Sequence, residues 1–333
     1  MNADTIRSKM ERIARIDKIQ GRIRSGFGGN PVNLVNPVYF LSFIGVYLRL
    51  SAVALLAFLA GAPAVAAESY EQGLLWRIEG RGVAPSHVFG TVHLADPRVT
   101  KLPPAVAREL DRARSLSLEV TLDSANILTL ASRMLYTDGR DLQSVAGAEL
   151  FAKAAALTEG AGLPEPLLRM FKPWAVALVL SAPPQDPANV LDFVLARRAQ
   201  EKGKPVHELE GMEAQIAALE GFPEADQVAL LRHAVENRAR MQDWIGRIVE
   251  AYLARDLAAM QRISEESSGG DQRANEVFAD RLLYQRNERM VERMEARLAE
   301  GGAFIAVGAL HLHGSRGVPA LLEQKGYRVT RVY

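Results

Sequence analysis

The sequence predicts an α/β protein in which a central mixed sheet carries its polar chemistry at one edge. Short apolar runs typical of buried strands alternate with longer stretches of helical spacing. Two of the short runs, far apart in the chain, end in the same Gly-x-x-His-Leu sequence, at residues 90–94 and 308–312. An open α/β sheet binds its ligands beyond the carboxyl ends of its strands, so both histidines fall where function is expected.

Composition excludes several classes of function. The chain has 333 residues and no cysteine, so disulfide frameworks, thiolate metal sites and cysteine nucleophiles are excluded. The net charge of +1 hides an asymmetry. Residues 1–66 hold eight of the 40 basic and three of the 39 acidic side chains, which leaves the remainder a net charge of −4. This mildly acidic body offers no basic face, and no nucleic-acid partner is expected.

Residues 1–66 are interpreted as an N-terminal extension plus a signal peptide. Arg49 precedes an apolar core of roughly ten residues, and an Ala-Val-Ala pattern follows at 64–66. The layout predicts export of a body spanning residues 67–333, which would be periplasmic or secreted. The alternative is an uncleaved membrane anchor facing the periplasm, because the apolar run 37–48 could lengthen the span. A further hypothesis is a translation start near Val46.

The body begins with a predicted hairpin. Apolar runs at 73–79 and 87–93 flank a glycine-rich turn, as two antiparallel strands do. Pro103-Pro104 then predicts the start of a helix. Apolar and polar residues alternate over 116–122, which predicts a strand with Glu119 near its carboxyl end.

The rest of the chain alternates between helical and strand patterns. Helical spacing predominates in 125–200, where prolines divide it into short helices, and in 223–299. Three further strand patterns occupy residues 204–209, 304–308 and 327–332. Many helices are therefore expected between the first strands and the last ones.

The two Gly-x-x-His units have similar sequels. Each continues through a loop into a helix that begins near a proline, Pro104 or Pro319, and then into a strand. Parallel strands joined by crossover helices would bring both loops to the same edge of one sheet. His93 and His311 are therefore expected to meet despite their separation in sequence.

His93 and His311 are candidate ligands of a divalent metal ion such as Mn, Co or Zn. Glu119 is the natural carboxylate partner, as a further ligand or as a general base. The alternative is that each histidine is a hydrogen-bonded core residue. His313, two residues after His311, is either another ligand or a loop histidine.

Two polar residues interrupt the apolar stripe of a helix predicted over 272–298. Asn287 falls on the stripe with Arg286 beside it, and both would need polar partners. They form either a structural hydrogen-bond network or a clamp for an oxyanion or a substrate carboxylate. Glu210, at the end of the 204–210 segment, is either a second acid of the site or a helix N-terminal acid.

Taken together, these residues resemble the TraB/GumN family, which is related to the Tiki membrane-anchored metalloproteases. The resemblance covers residues 70–333. It rests on short motifs in a fixed order: Gly90-Thr91-Val92-His93, Leu118-Glu119, Lys172-Pro173-Trp174, Lys204-Pro205-Val206, Arg286-Asn287 and Gly308-Ala309-Leu310-His311-Leu312. It implies two pseudo-symmetric β-α-β halves around a central mixed sheet, similar to erythromycin-esterase-like and ChaN-like proteins.

The resemblance also implies an active site. In Tiki-like relatives the paired motifs and a glutamate belong to a divalent-metal protease that uses Mn or Co. Carried over, the metal ligands are His93, His311 and Glu119. Glu119 also takes a catalytic role together with Arg286 and Asn287. Those two residues are expected to hold the substrate together with Glu210. His313 departs from the family pattern, where an aliphatic residue is commoner.

The leading hypothesis is an exported metal-dependent hydrolase, peptidase-like, that acts on a peptide or a small molecule. The alternative is a periplasmic haem- or metal-binding protein without catalysis, because paired histidines can also ligate haem. A third hypothesis is a degenerate enzyme that acts through partners. Membrane contact is expected only through the N-terminal hydrophobic segment.

Overall fold

The structure is a computed structural model that describes residues 70–333, except 81, 122, 160–161 and 269–271. The predicted extension and signal peptide of residues 1–66 lie outside the described residues. Among the helices that the structure does describe, none has the length and apolar character needed to cross a membrane.

A six-stranded mixed sheet lies at the centre of the described residues. Its strands are β1 (Leu75–Glu79), β2 (Ser86–Thr91), β3 (Ser115–Leu118), β4 (Val206–Glu208), β5 (Ala303–Gly308) and β6 (Arg328–Arg331). Their order across the sheet is β4-β3-β5-β2-β1-β6. Strands β2 to β5 run parallel, and β1 is antiparallel to both of its neighbours. The predicted α/β class with a mixed sheet is confirmed.

The two middle strands come from opposite ends of the body. β2 pairs with β5 in parallel register, with Gly90 opposite Val307 and Thr91 opposite Gly308. Every residue of both strands is buried, as expected for parallel strands covered on both faces. Because their carboxyl ends are aligned, the two Gly-x-x-His loops leave the sheet side by side.

Each Gly-x-x-His motif lies in a unit of two strands, β2 with β3 and β5 with β6, and the two strands are separated by different numbers of positions in the two units. β3 follows β2 in the chain and lies two places from it, on the far side of β5. β6 follows β5 and lies three places from it, because both β2 and β1 stand between them. The two units therefore differ in the sheet, because the antiparallel strand β1 is inserted between β2 and β6.

Helices cover the sheet and fill the long segments between its strands. They are α1 (Pro97–Thr100), α2 (Pro104–Arg112), α3 (Ser124–Arg133), α4 (Leu142–Ala146), α5 (Ala148–Glu159), α6 (Glu165–Leu168), α7 (Pro173–Ser181), α8 (Leu191–Glu201), α9 (Met212–Glu220), α10 (Glu224–Glu236), α11 (Met241–Leu253), α12 (Leu257–Ser268), α13 (Gln272–Ala279), α14 (Gln285–Glu300) and α15 (Val318–Gln324). Helix α7 is buried at every residue, because it is apolar on all sides and needs a complete shell of neighbours. Prolines stand in the first turn of α2, α7 and α15, where a missing N–H costs little.

The helix predicted over 272–298 is interrupted. A π-helical turn at Asp280–Tyr284 separates α13 from α14. The predicted apolar stripe is nevertheless buried at each of its residues: Leu283, Met290, Val291, Met294 and Leu298. Arg286 and Asn287 fall in the first turn of α14, directly after the π turn, and both are buried.

Candidate functional site

Seven buried polar side chains gather beyond the carboxyl ends of β2, β3 and β5. They are His93, Glu119, Asp192, Glu210, Arg286, Asn287 and His311, and none is more than 7% exposed. Buried polar groups in such number need partners among themselves. The structure brings together six residues that the sequence singled out and adds Asp192.

His311 lies on a 3₁₀ turn, Ala309–Leu312, which continues β5. Its Nδ1 is 2.5 Å from Asn287 Oδ1, and Asn287 Nδ2 donates to the Arg316 carbonyl at 2.7 Å. The second bond fixes the amide so that its oxygen faces the imidazole, and Nδ1 therefore carries the proton. Burial lowers the pKa of His311 to about 3, so the ring is neutral at ordinary pH.

The other nitrogen of His311 is an orphan. Within the described residues Nε2 is fully buried and has no hydrogen-bond partner. It lies 3.7 Å from Glu119 Oε1. A buried acceptor without a partner is costly and calls for an explanation, such as an ion or water that completes the site.

His93 follows β2 and is held by a carboxylate. Its Nδ1 is 2.7 Å from Asp192 Oδ2, and Thr91 Oγ1 donates to Asp192 Oδ1 at 3.2 Å. An ionised carboxylate only accepts, so in the neutral imidazole Nδ1 carries the proton and Nε2 the lone pair. Asp192 was missed from the sequence, because it stands in the first turn of α8 outside any recognisable motif.

Glu119 lies just past β3, one residue beyond the observed end of the strand. Oε1 accepts from the Gly308 backbone N–H at 2.6 Å, and Oε2 accepts from Arg286 Nη2 at 2.6 Å and from Gln215 Nε2 at 3.1 Å. Burial favours the neutral acid, but the charge of Arg286, together with the hydrogen bond from the Gly308 N–H, outweighs it and holds the pKa of Glu119 well below its ordinary value. Glu119 is therefore a carboxylate.

Arg286 joins two buried carboxylates. Its Nε is 3.1 and 2.9 Å from the two carboxylate oxygens of Glu210, and its Nη2 is 2.5 Å from Glu210 Oε2. The Glu210 side chain is 1% exposed, and α9 begins two residues later at Met212. Glu210 thus pairs with Arg286 and does not cap the helix. Because Nη1 also donates to the Leu282 carbonyl, the guanidinium is engaged within the protein.

The two glycines of the repeated motif serve different purposes. A Cβ on Gly90 would lie 2.7 Å from Leu312 Cδ1 and 3.0 Å from Ala309 Cα, so glycine lets the second motif pack against β2. A Cβ on Gly308 would lie 3.4 Å from Glu119 Oε1, 3.4 Å from His311 Cδ2 and 3.7 Å from His93 Nε2. Gly308 therefore leaves a small space that the three side chains border.

The donor chemistry of this space matches a divalent metal ion, although the site is incomplete. Across the described part of the chain, no three His, Cys, Asp or Glu side chains are arranged so that they could hold a metal ion. The groups around Gly308 are nevertheless two imidazole Nε2 atoms and one carboxylate oxygen. Each imidazole is oriented by a partner on its other nitrogen, as metal-binding histidines usually are. The residues present fit such an ion by their chemistry.

His313 is not part of the cluster. It is half-buried, and the carboxylates near enough to influence its charge are those of Glu71, Glu265 and Asp256. The carboxylate that influences His311 is that of Glu119. The expectation that residues 311 and 313 face the same way assumed an extended chain. The chain forms a 3₁₀ turn at Ala309–Leu312 instead, and the structure does not bring His313 to His93 and His311.

The chain belongs to the TraB/PrgY/gumN family, whose family model matches residues 74–331. The resemblance found in the sequence is therefore confirmed. The chain is similar to the uncharacterized protein YbaP of Escherichia coli (strain K12), with 24% identity over 245 residues that cover 71% of this chain and 87% of YbaP. YbaP of Shigella flexneri is 24% identical over 72% of this chain and 88% of its own length.

The chain is also similar to animal metalloproteases. Metalloprotease TIKI2 of Danio rerio is 25% identical over 312 residues, which cover 77% of this chain and 60% of that protein. Metalloprotease TIKI1 of Homo sapiens is 25% identical over 79% of this chain and 62% of its own length. No solved structure matches this chain.

Proposed function

We propose that this chain is an exported metal-dependent hydrolase, peptidase-like in its chemistry, with His93, His311 and Glu119 as ligands of a divalent Mn, Co or Zn ion. The observation that carries the proposal is the orphaned Nε2 of His311, buried 3.7 Å from a carboxylate oxygen. Similarity to proteins named metalloproteases supports the class of reaction. The proposed export rests on the signal-peptide layout of the N-terminal segment.

A bound ion would polarise a substrate carbonyl and lower the pKa of a water molecule. The chain's own residues prepare the site for that chemistry. Arg286 and the Gly308 N–H keep Glu119 ionised and direct Oε1 towards His311. Glu119 can then act as a ligand or receive a proton from water as a general base. Asn287 keeps the Nε2 lone pair of His311 facing Glu119.

The proposed substrate contacts involve Arg286, Asn287 and Glu210. Arg286 would stabilise negative charge that develops on the substrate, since it is the cation of the cluster. In the present arrangement Arg286 and Asn287 first support Glu119 and His311. A direct contact with substrate would require the Arg286–Glu210 pair to open.

A metal-binding protein without catalysis is the second candidate, and burial favours it. The ligands proposed above are at most 6% exposed. A substrate therefore has no direct approach to them in this conformation, whereas a small ion needs far less room. Haem would demand a much larger opening beside the histidines, and a Soret band in the purified protein would reveal it.

Elemental analysis of the purified protein after dialysis against Mn, Co and Zn in turn tests the metal proposal. The wild type should retain about one equivalent of one metal, and His93→Ala/His311→Ala should retain none. His207→Ala is the matched control, because His207 lies on the edge strand β4 and contacts Arg297 outside the cluster. A wild type that stays metal-free in all three solutions would remove the basis of the hydrolase proposal.

Catalysis is tested separately on the metal-loaded protein with a peptide library. Cleavage that the double histidine variant lacks and the His207→Ala control retains would establish a hydrolase. Bound metal without any cleavage would favour the binding protein.

A further inference from the structure

We propose that Asp192 is a positioning residue that fixes the tautomer of His93, so that the Nε2 lone pair is presented to the space above Gly308. The inference rests on the proposed function for its purpose, but the hydrogen bonding that it describes exists without a metal. No sequence motif marks Asp192, and it stands 99 residues from His93 in the chain.

Both oxygens of Asp192 are directed at the segment that carries His93. Oδ2 is 2.7 Å from His93 Nδ1, and Oδ1 accepts from Thr91 Oγ1 at 3.2 Å. The backbone adds a further tie, because Leu191 N donates to the Leu94 carbonyl at 3.2 Å. The start of α8 is thus attached to the chain on both sides of His93, and the carboxylate is only 4% exposed.

This contact decides which imidazole nitrogen carries the proton. In a neutral ring, a carboxylate acceptor at Nδ1 holds the proton there and leaves Nε2 with the lone pair. Without Asp192, the carboxylate of Glu119 becomes the acceptor that attracts the proton, and it acts from the Nε2 side of the ring. A protonated Nε2 cannot bind a metal ion. Removing Asp192 would therefore prevent His93 from binding a metal ion, although His93 itself is unchanged.

The second histidine has an equivalent support from another helix. Asn287 on α14 accepts from His311 Nδ1, and its own N–H is anchored on the Arg316 carbonyl. One supporting group is charged and the other is neutral. Because an anionic partner makes an imidazole more basic, His93 would be the stronger donor of the two to a bound ion.

Long-range ¹H–¹⁵N correlation spectra of the metal-free, ¹⁵N-histidine-labelled protein report the tautomer directly. The wild type should show His93 protonated at Nδ1. Asp192→Leu nearly keeps the side-chain volume and removes the acceptor, so the proton should move to Nε2. Asp192→Asn should keep the wild-type tautomer, because its carbonyl can still accept while Thr91 donates to the Val307 carbonyl, 3.4 Å away.

Asp111→Asn is the matched control. The Asp111 carboxylate pairs with Arg198, which lies on α8 as Asp192 does but away from the site. It should leave the tautomer of His93 unchanged. A role in packing alone predicts the same tautomer in wild type and Asp192→Leu, and that result would overturn the inference. If Asp192→Leu does not fold, the wild-type spectrum still decides, because a proton on Nε2 would overturn the inference by itself.

Titration with Co²⁺ forms the second part of the test. Asp192→Leu should bind the ion roughly 10- to 100-fold more weakly than wild type, the usual cost of losing an outer partner of a ligand. A wild type that binds no metal would contradict the proposed function, while a proton shift in Asp192→Leu would still support Asp192. Metal binding by wild type with an unchanged tautomer in Asp192→Leu would contradict only the inference about Asp192.

Discussion

Replacement of Arg286 by methionine should destabilise the fold, because two carboxylates would lose their cation. Arg286 makes four hydrogen bonds to carboxylate oxygens, three with Glu210 and one with Glu119. The two acidic side chains are 1% and 7% exposed, so water cannot replace the guanidinium. Breaking a buried ion pair from one side costs about 3–5 kcal/mol, and we expect a loss in this range for Arg286→Met.

The assay is urea unfolding of the metal-free protein near neutral pH, with the free energy of unfolding obtained by linear extrapolation. Adding Glu210→Gln to Arg286→Met should restore part of the loss, since the amide carries no charge. Arg247→Met is the control, because its pair with Glu266 is 41% and 45% exposed and should contribute at most about 1 kcal/mol. A loss below about 1 kcal/mol for Arg286→Met would refute the argument that these carboxylates depend on it.

Three further predictions follow from local geometry. Gly308→Ala should keep the fold, because φ is −55° and the nearest atoms lie 3.4 Å from the new methyl group. The methyl group should nevertheless weaken Co²⁺ binding at least about tenfold in a titration, because it fills the space between His93, His311 and Glu119. Unchanged affinity would contradict the assignment of that space to a metal ion. Gly90→Ala should instead lower the melting temperature, because its Cβ would lie 2.7 Å from Leu312, and a stability equal to wild type would disprove that contact. Hydrogen bonds from Arg198 lower the pKa of Asp111 to about 2, so this stabilisation is complete above about pH 4 and is lost as the pH falls through about 2. Arg198→Ala should therefore flatten the decline of unfolding free energy in that window, and equal slopes in wild type and variant would count against the pair.

The positions of β2 and β5 could be predicted from the sequence because each contains a short apolar run that ends at or beside a glycine. The repeated Gly-x-x-His spelling also placed His93 and His311 beyond strands of one sheet, and the parallel pairing of β2 with β5 brings their loops together. The local sequence was sufficient for these two strands, because a strand buried on both faces is apolar along most of its length.

Contacts between distant elements could not be predicted in the same way. Glu210 and Arg286 are 76 residues apart, and neither their spacing nor their neighbours indicates that they pair. The π turn before Arg286 has no residue type that announces it. The spacing of His311 and His313 predicts a shared direction only for an extended chain, and the 3₁₀ turn at Ala309–Leu312 is not extended. The pseudo-symmetry of the two halves, the processing of residues 1–66 and the metal itself stay predictions.

The position of β5 has a consequence for how the chain folds during synthesis. β5 separates β2 from β3, yet it is built from residues that emerge almost last, and the Ala303 N–H bonds to a side chain 217 residues earlier. Closing so long a loop is slow, and until it closes β2 and β3 present unpaired edges to any other strand nearby. A nascent chain shorter than about 300 residues can form helices but not the centre of its sheet. The centre of the sheet can therefore form only after the residues of β5 have been made.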